Sequence, residues 1–150
     1  MIFYRFANSK FSNDISGEGA RRYGGRWNNK GNPVVYASFT ISLSLVELLI
    51  HSASYDEIKS NELMVIETSV NHFTDVKQLK KDWQHDEDYS KYIGDEFLRS
   101  SSHLLLRVPS VIIPEEYNIL INPLHKDFNK VKIKTSYPFH FDVRLFKTGI

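Results

Sequence analysis

The sequence predicts an α+β fold in a single domain, with a curved sheet that is mixed or mainly antiparallel and helices along its flanks. Three observations predict it. The length of 150 residues fits one domain of ordinary size. Segments rich in β-branched and aromatic residues recur along the chain. In the C-terminal half these segments follow one another without regularly intervening helices, which disfavours a doubly wound parallel sheet.

Seven segments have the composition of strands. They are Ile2–Phe6, Pro33–Ser38, Leu63–Ser69, Leu104–Val108, Tyr117–Ile121, Val131–Thr135 and Phe139–Phe146. Helical patterns cover Ser42–Ser52 and Glu87–Ser100, and a weaker one covers Asp75–Trp83.

Composition excludes several classes of protein. Charged residues make up 25% of the chain and the net charge is +1, which indicates neither disorder nor a general polyanion-binding surface. With 0 cysteines, disulfides, thiolate nucleophiles and Cys-containing zinc sites are excluded. The segment Met1–Phe6 lacks the features of a signal peptide, and the apolar stretch Phe39–Ile50 falls short of the roughly 20 residues that span a bilayer. We therefore expect a cytoplasmic protein without a membrane span.

The segment Asn8–Pro33 is rich in both glycine and basic residues. It contains Gly17, Gly19, Gly24, Gly25 and Gly31 together with Arg21, Arg22, Arg26 and Lys30. Glycines let backbone N–H groups approach a ligand, and guanidinium groups bind phosphate oxygens with paired hydrogen bonds. Two interpretations stay open: an anion-binding loop, or a surface loop with solvated charges.

A narrow polar stripe follows the first predicted helix. Thr40, Ser44, Glu47 and His51 are spaced four, three and four residues apart, and the rest of the helix is apolar. The stripe is typical either of a cleft wall or of the thin solvent-facing side of an amphipathic helix.

Several short motifs occur in order along the chain. They are Gly24–Asn28 (GGRWN), Pro33–Ser38 (PVVYAS), Leu45–His51 (LVELLIH), Val108–Ser110 (VPS), Asn118–His125 (NILINPLH) and Phe141–Leu145 (FDVRL). Together they resemble the RES domain family, named for its arginine, glutamate and serine. The resemblance covers nearly the whole chain, although residues 52–100 match less specifically.

The resemblance implies a fold similar to that of ADP-ribosyltransferases and a toxin whose partner is an Xre-like helix-turn-helix antitoxin that occludes its pocket. RES proteins consume NAD as a substrate, release nicotinamide, and pass the ribosyl group to water or to inorganic phosphate as co-substrate. No cofactor is implied. Some members are described as modifying a protein, so ADP-ribosyl transfer to a protein target is the alternative activity.

Four residues match the family's site residues: Arg26, Tyr36, Glu47 and Ser110. Cleavage expels neutral nicotinamide and leaves positive charge on the ribose, so the resemblance implies that Glu47 stabilises that charge. Arg26 would hold the pyrophosphate. Tyr36 would stack against the nicotinamide or ribose and donate its hydroxyl, unless it only packs in the sheet. Ser110 would orient substrate, water or phosphate, unless it only satisfies backbone groups in a turn.

Three further residues have two interpretations each. Arg5 either points into the pocket as a substrate ligand or extends outward to solvent. Asn28 either binds substrate or fixes its loop. His51 either orients Glu47 from one turn away or caps the end of the helix.

Other classes of site are disfavoured by spacing. The six histidines are scattered, so we expect no metal site. The glycines do not form GxGxxG, so a Rossmann dinucleotide site is not expected. A nucleic-acid module or ribonuclease would use the loop arginines with Tyr23 and Trp27, but the near-neutral charge argues against direct nucleic-acid binding. Whether the protein forms homo-oligomers stays open.

Overall fold

The computed structural model describes residues 1–147. The strands are β1 (Ile2–Asn8), β2 (Val35–Ser38), β3 (Asn61–Thr68), β4 (Thr74–Asp75), β5 (Leu105–Pro109), β6 (Tyr117–Ile121) and β7 (Val131–Pro138). The α-helices are α1 (Glu18–Tyr23), α2 (Ile41–Ile50), α3 (Tyr55–Ile58) and α4 (Glu87–Ser100), and short 3-10 helices cover Ser9–Phe11, Trp83–His85, Phe128–Lys130 and Val143–Phe146.

All seven strands form one sheet in the order β4-β5-β6-β2-β1-β3-β7. The pair β4 and β5 is parallel, and the other five neighbouring pairs are antiparallel. The α+β class and the mixed, mainly antiparallel sheet are therefore confirmed. In this order β2 and β6, which lie far apart in the sequence, are neighbours at the centre of the sheet, with Ser38 opposite Asn118.

The sheet buries apolar side chains on both faces. Along β6, Ile119 and Ile121 join one cluster with Phe3, whereas Leu120 joins a second cluster with Trp83. Alternation of this kind is expected for a strand in the middle of a sheet that is covered on both sides. A third cluster lies around Phe6, Ile58, Leu63 and Phe141, and α2 packs against it through Ile41, Leu45, Leu48 and Leu49.

Helix α2 begins after Thr40, whose side chain caps the first turn. Thr40 is in an extended conformation and its hydroxyl accepts a hydrogen bond from the N–H of Leu43, the usual arrangement of an N-cap. Because the apolar positions of α2 face the third cluster, Ser44, Glu47 and His51 turn toward a cavity on the other side of the helix. Three of the four stripe residues, Ser44, Glu47 and His51, thus line a cleft, whereas Thr40 is exposed and is the N-cap of the helix.

Two predicted elements are wrong. The segment Asp75–Trp83 is not a helix: Asp75 ends β4, Val76 donates a backbone hydrogen bond to Arg107, and the next helical turn is the 3-10 helix that starts at Trp83. The segment Phe139–Phe146 is not a strand, because β7 ends at Pro138 and a 3-10 helix forms at Val143–Phe146. Phe139, Phe141 and Phe146 pack in the third cluster without joining the sheet.

Within residues 1–147, no helix combines the length and the apolar character needed to cross a bilayer.

Candidate functional site

A cavity of about 400 Å³ opens between α2, the glycine-rich segment and the centre of the sheet. Its size lies in the range of small-molecule sites, which is roughly 300–1,000 Å³. The polar and charged residues on its wall are Arg5, Arg26, Tyr36, Ser38, Ser44, Glu47, His51 and Asn118. Of the four residues carried over from the family pattern, Arg26, Tyr36 and Glu47 line this cavity directly.

Glu47 is the carboxylate of this cavity, and one of its two oxygens is held by neighbours. Its Oε1 accepts hydrogen bonds from Ser110 Oγ at 2.8 Å and from Asn118 Nδ2 at 2.6 Å. Its Oε2 has no hydrogen-bond partner among residues 1–147, and it is not a buried orphan atom, so it is open to the cavity. The carboxylate therefore presents one fixed, free oxygen to whatever occupies the cavity.

Ser110 is fully buried and its hydrogen bonds are saturated. Its Oγ accepts from the backbone N–H groups of Ile112 and Ile113, each at 3.1 Å. A hydroxyl has one proton and two acceptor positions, so with both acceptor positions used the proton is directed at Glu47. Ser110 thus satisfies a turn, as one of its two interpretations held, and it also holds the Glu47 carboxylate, which the sequence did not predict.

Arg26 borders the cavity but is partly committed to the protein. Its Nη2 donates to the carbonyl oxygens of Trp83 and Gln84 at 2.9 and 2.8 Å, and its guanidinium carbon lies 5.6 Å from the centre of the Trp83 ring. Its Nε is buried without a partner, and Nη1 has none among residues 1–147. Arg26 therefore anchors the 83–84 segment and keeps donor capacity for an anion.

Tyr36 presents its ring, not its hydroxyl, to the cavity. The hydroxyl accepts from the N–H of Trp27 at 2.9 Å and donates to Asn28 Oδ1 at 2.6 Å. Burial raises the pKa of Tyr36, and the hydrogen bond from Trp27 only partly opposes this. The expected hydrogen bond from this hydroxyl to substrate is therefore corrected, because the hydroxyl is used to hold the loop.

Asn28 fixes the loop and does not reach the cavity. It is fully buried, and its Nδ2 donates to the carbonyl oxygens of Ala20, Asn29 and Asn32. The substrate-binding role expected for Asn28 is corrected in favour of the loop-fixing interpretation.

Gly25 shows how closely the loop and β2 are packed. A Cβ at this position would lie 2.7 Å from the Tyr36 hydroxyl and 3.0 Å from Asn28 Oδ1, closer than carbon normally approaches oxygen. A glycine is required here by close approach.

Arg5 points inward from β1, as one of its two interpretations held. Its Nη1 donates to the carbonyl oxygen of Tyr36 at 3.0 Å, and burial lowers the pKa of the guanidinium, although the Asp14 carboxylate opposes that shift. Arg5 also lines a second cavity of about 560 Å³, on whose wall lie Asn8, Phe11, Asp14, Glu18, Arg22 and Tyr23. The two cavities share Arg5, Gly19 and Ala20, so they meet at this arginine.

His51 does not orient Glu47. It is the C-cap of α2, its side chain is exposed at the cavity rim, and no hydrogen bond joins the two side chains. The donors to Glu47 come from Ser110 and Asn118, on other elements.

The other basic residues of the glycine-rich segment are separate from this cavity. Arg21 and Arg22 both bind the Glu18 carboxylate on α1, and these contacts lower the pKa of Glu18 to about 2. The anion-binding interpretation of the segment is thereby reduced to Arg26, assisted by Arg5 from β1.

Sequence reasoning did not single out Asn118 or Ser38 as site residues, and it included Ser44 only as a member of the polar stripe on α2. Asn118 lies on β6, and its Oδ1 accepts a hydrogen bond of 2.6 Å from Ser38 Oγ on β2. Ser44 lies one turn before Glu47 and lines the same wall. Asn118 stood within a quoted motif, but only the pairing of β2 with β6 shows that it faces Glu47.

Comparison with known proteins gives the family of the chain. The RES domain model matches residues 2–142. A protein of Photorhabdus laumondii named "Toxin Res" is 36% identical, with 98% of each chain covered. A "Toxin Res" of Yersinia enterocolitica is 34% identical over 97% of this chain and 99% of its own. A Sphingobium protein named "Prs ADP-ribosylating toxin" is 32% identical over 91% of this chain and 89% of its own.

The fold is also found among solved structures. A chain of the crystal structure of the M. tuberculosis MbcT-MbcA toxin-antitoxin complex superposes with a TM-score of 0.72 at 19% identity, covering 92% of this chain and 83% of that one. The family match over nearly the whole length, with relatives above 30% identity, confirms the resemblance drawn from the short motifs. The chain belongs to the RES domain family.

Proposed function

We propose that the protein is the toxin of a toxin–antitoxin pair and that it degrades NAD by cleaving the bond between nicotinamide and ribose. The observation that carries this proposal is the Glu47 carboxylate, held at Oε1 by Ser110 and Asn118 and open to the cavity at Oε2. The names of the relatives, "Toxin Res", support the toxin role.

The reaction needs one well-placed carboxylate. When the C1′–N bond of NAD breaks, its electron pair goes to the ring nitrogen, so nicotinamide leaves neutral and positive charge develops on the ribose. A preorganised negative oxygen beside that charge typically lowers the barrier by about 3–4 kcal/mol. An oxygen of water or phosphate then bonds to C1′, and the proton on that oxygen passes to solvent. Glu47 Oε2 would face the ribose while the ring of Tyr36 packs against the substrate.

The charged walls suit a dinucleotide. The pyrophosphate of NAD carries two negative charges, and Arg5 and Arg26 are the two arginines that line the first cavity. Arginine donors bind phosphate oxygens with charge-assisted hydrogen bonds. We place the pyrophosphate where the two cavities meet, at Arg5.

The second cavity would take the adenosine end. Its wall carries two positive residues, Arg5 and Arg22, and two negative ones, Asp14 and Glu18. A wall with no net charge suits an uncharged nucleoside. Phe11 and Tyr23 line it with rings that are 60% and 77% exposed, and a nucleobase stacks favourably on such rings.

Purified protein incubated with NAD tests the function. We expect release of nicotinamide. If phosphate is the acceptor, added phosphate should raise the yield of a phosphorylated ribosyl product. If water is the acceptor, the second product should be free ADP-ribose. Glu47→Gln should reduce the rate by at least about 100-fold, the effect typical of a preorganised electrostatic group. Glu115→Gln is the matched control, because Glu115 is an exposed glutamate that does not line the cavity. No release by folded wild-type protein would refute the proposal.

Transfer of ADP-ribose to a protein is the second candidate, favoured by the relative named "Prs ADP-ribosylating toxin". Both activities share the cleavage step and differ in the acceptor. Labelled NAD that marks a protein band in a host extract, in preference to forming free ADP-ribose, would favour transfer. An RNA-cleaving toxin would instead degrade RNA in the same extract without any loss of NAD.

An antitoxin of the Xre-like helix-turn-helix class is the proposed partner, supported by a fold shared with a chain of a toxin-antitoxin complex. Because the partner would cover the first cavity, its addition should stop nicotinamide release. Pull-down of such a protein with the wild-type chain checks the pairing.

A further inference from the structure

We infer that Asn118 and Ser38 form a positioning pair that determines how the Glu47 carboxylate faces the cavity. The inference rests on the proposed function, since it concerns the same carboxylate. It adds two residues of the central strands to the arginine, tyrosine, glutamate and serine that the family pattern supplies.

The pair is built across two neighbouring strands. Ser38 on β2 and Asn118 on β6 are directly opposite each other in the antiparallel register. Ser38 Oγ donates to Asn118 Oδ1 at 2.6 Å, and Asn118 Nδ2 donates to Glu47 Oε1 at 2.6 Å. Ser38 is 3% exposed, so water has little access to this hydrogen bond.

The orientation of the Asn118 amide follows from which groups can donate a hydrogen bond and which can only accept one. A carboxylate only accepts, so the Asn118 amide must turn its NH₂ group to Glu47 and its oxygen to Ser38. The flipped orientation would bring two oxygens together at Glu47, and the Ser38 hydroxyl adds to the observed orientation by donating to Asn118 Oδ1. Ser38 therefore acts on the carboxylate through Asn118.

The consequence is a difference between the two carboxylate oxygens. Asn118 and Ser110 approach Oε1 from β6 and from the turn after β5, so the carboxylate is fixed against rotation. Fixed geometry of this kind matters more for the transition state than for binding. Loss of Asn118 should accordingly lower kcat and leave KM nearly unchanged.

Four variants test the pair by the rate of nicotinamide release. Asn118→Ala should lower kcat about 10-fold with KM for NAD within about twofold, and Ser38→Ala should lower kcat by less. Because Ser38 acts through Asn118, the double variant should be no slower than Asn118→Ala, which is the non-additivity expected of coupled residues. Asn129→Ala, an exposed asparagine away from the cavity, is the control.

Asn118→Asp gives a second readout that a purely structural role would not produce. At neutral pH the introduced carboxylate would face that of Glu47, and kcat should fall further than in Asn118→Ala. As the pH falls, the introduced carboxyl group takes up a proton and regains a donor, so kcat should rise relative to wild type. Arg5, Arg26 and His51 line the same cavity in all the variants, so each variant is compared with wild type at the same pH.

Unchanged kcat in Asn118→Ala, or losses that multiply in the double variant, would overturn the positioning role. Crystal structures of the wild type and Asn118→Ala separate this outcome from failure of the proposed function. If wild-type protein releases no nicotinamide, the function is wrong, and the pair is then judged by geometry alone. A Glu47 carboxylate that keeps its orientation in Asn118→Ala would still overturn the inference, and a rotated one would support it.

Discussion

The hydroxyl of Ser110 donates to Glu47 at 2.8 Å while it accepts backbone hydrogen bonds from Ile112 and Ile113. Ser110→Ala should therefore affect both stability and rate. Leaving buried N–H groups without acceptors costs about 1–3 kcal/mol, so the free energy of unfolding should fall by that amount. Urea denaturation measures it, and nicotinamide release should fall as well.

Ser102→Ala is the control for Ser110, because Ser102 is exposed. Equal unfolding free energies for wild type and Ser110→Ala would contradict the hydrogen-bond assignment of Ser110.

Gly94 lets α4 lie against the loop that carries Trp27. A Cβ at Gly94 would lie 1.7 Å from the Trp27 carbonyl oxygen, so Gly94→Ala should force the helix and the loop apart. Overpacking of this kind costs about 1–3 kcal/mol or more, measurable by urea denaturation. Gly19→Ala is the control, since its Cβ meets nothing within 4 Å. Similar stability of the two variants would contradict this packing.

Tyr23 should matter for the adenosine half of the substrate only. Tyr23→Ala removes a ring from the second cavity, so KM for NAD should rise about 5- to 150-fold, the loss expected for one base stacked on an aromatic ring at about 1–3 kcal/mol. Nicotinamide mononucleotide lacks the adenosine part, and its KM should not change. Tyr92→Ala, a comparably exposed tyrosine on α4, is the control. An equal rise in KM for both substrates would contradict the placement of adenosine in the second cavity.

Tyr36 should make stability depend on alkaline pH. Burial raises the pKa of Tyr36, so the folded protein keeps the proton at a pH where the unfolded chain has lost it. This contribution to stability is complete below the ordinary tyrosine pKa of about 10 and is lost as the pH rises above it. The difference in unfolding free energy between wild type and Tyr36→Phe should thus narrow above about pH 10. A constant difference in denaturation experiments across that range would count against the burial effect.

Much of the fold was predictable from local pattern. Six of the seven predicted strands and both main helices were confirmed, with Tyr117–Ile121 and Glu87–Ser100 matching the observed bounds. Asp86 explains the second match, because its side chain accepts from the N–H of Tyr89 and caps the helix. These elements carry both their apolar periodicity and their end signals in the sequence itself.

The missed elements depend on tertiary contacts. Strand β4 is only two residues long and exists because β5 pairs with it. The segment after β4 has good helix formers, but its end is tied to Arg26 through Trp83 and Gln84. Helix α1 was not predicted, because it contains a glycine, which is unfavourable inside helices. The aromatic alternation of Phe139–Phe146 reflects packing against Phe6 and not a strand.

The candidate site was likewise predictable only in part. The sequence pointed to Glu47, Arg26, Tyr36 and Ser110 through the family pattern, and the structure brings them together around one cavity or its supporting turn. Asn118 and Ser38 could not be found by spacing, since 80 residues separate them and only the strand order makes them neighbours.

Glu47 is held by a hydroxyl and an amide, whereas the proposed pyrophosphate site is made of guanidinium groups. Neutral donors are insensitive to dissolved salt, but contacts between arginine and phosphate weaken as ionic strength rises. Salt should therefore weaken substrate binding without affecting the chemical step. Adding sodium chloride should raise KM for NAD while kcat stays constant. With the proposed function, salt that accumulates in a cell under osmotic stress would slow NAD cleavage only when NAD is scarce.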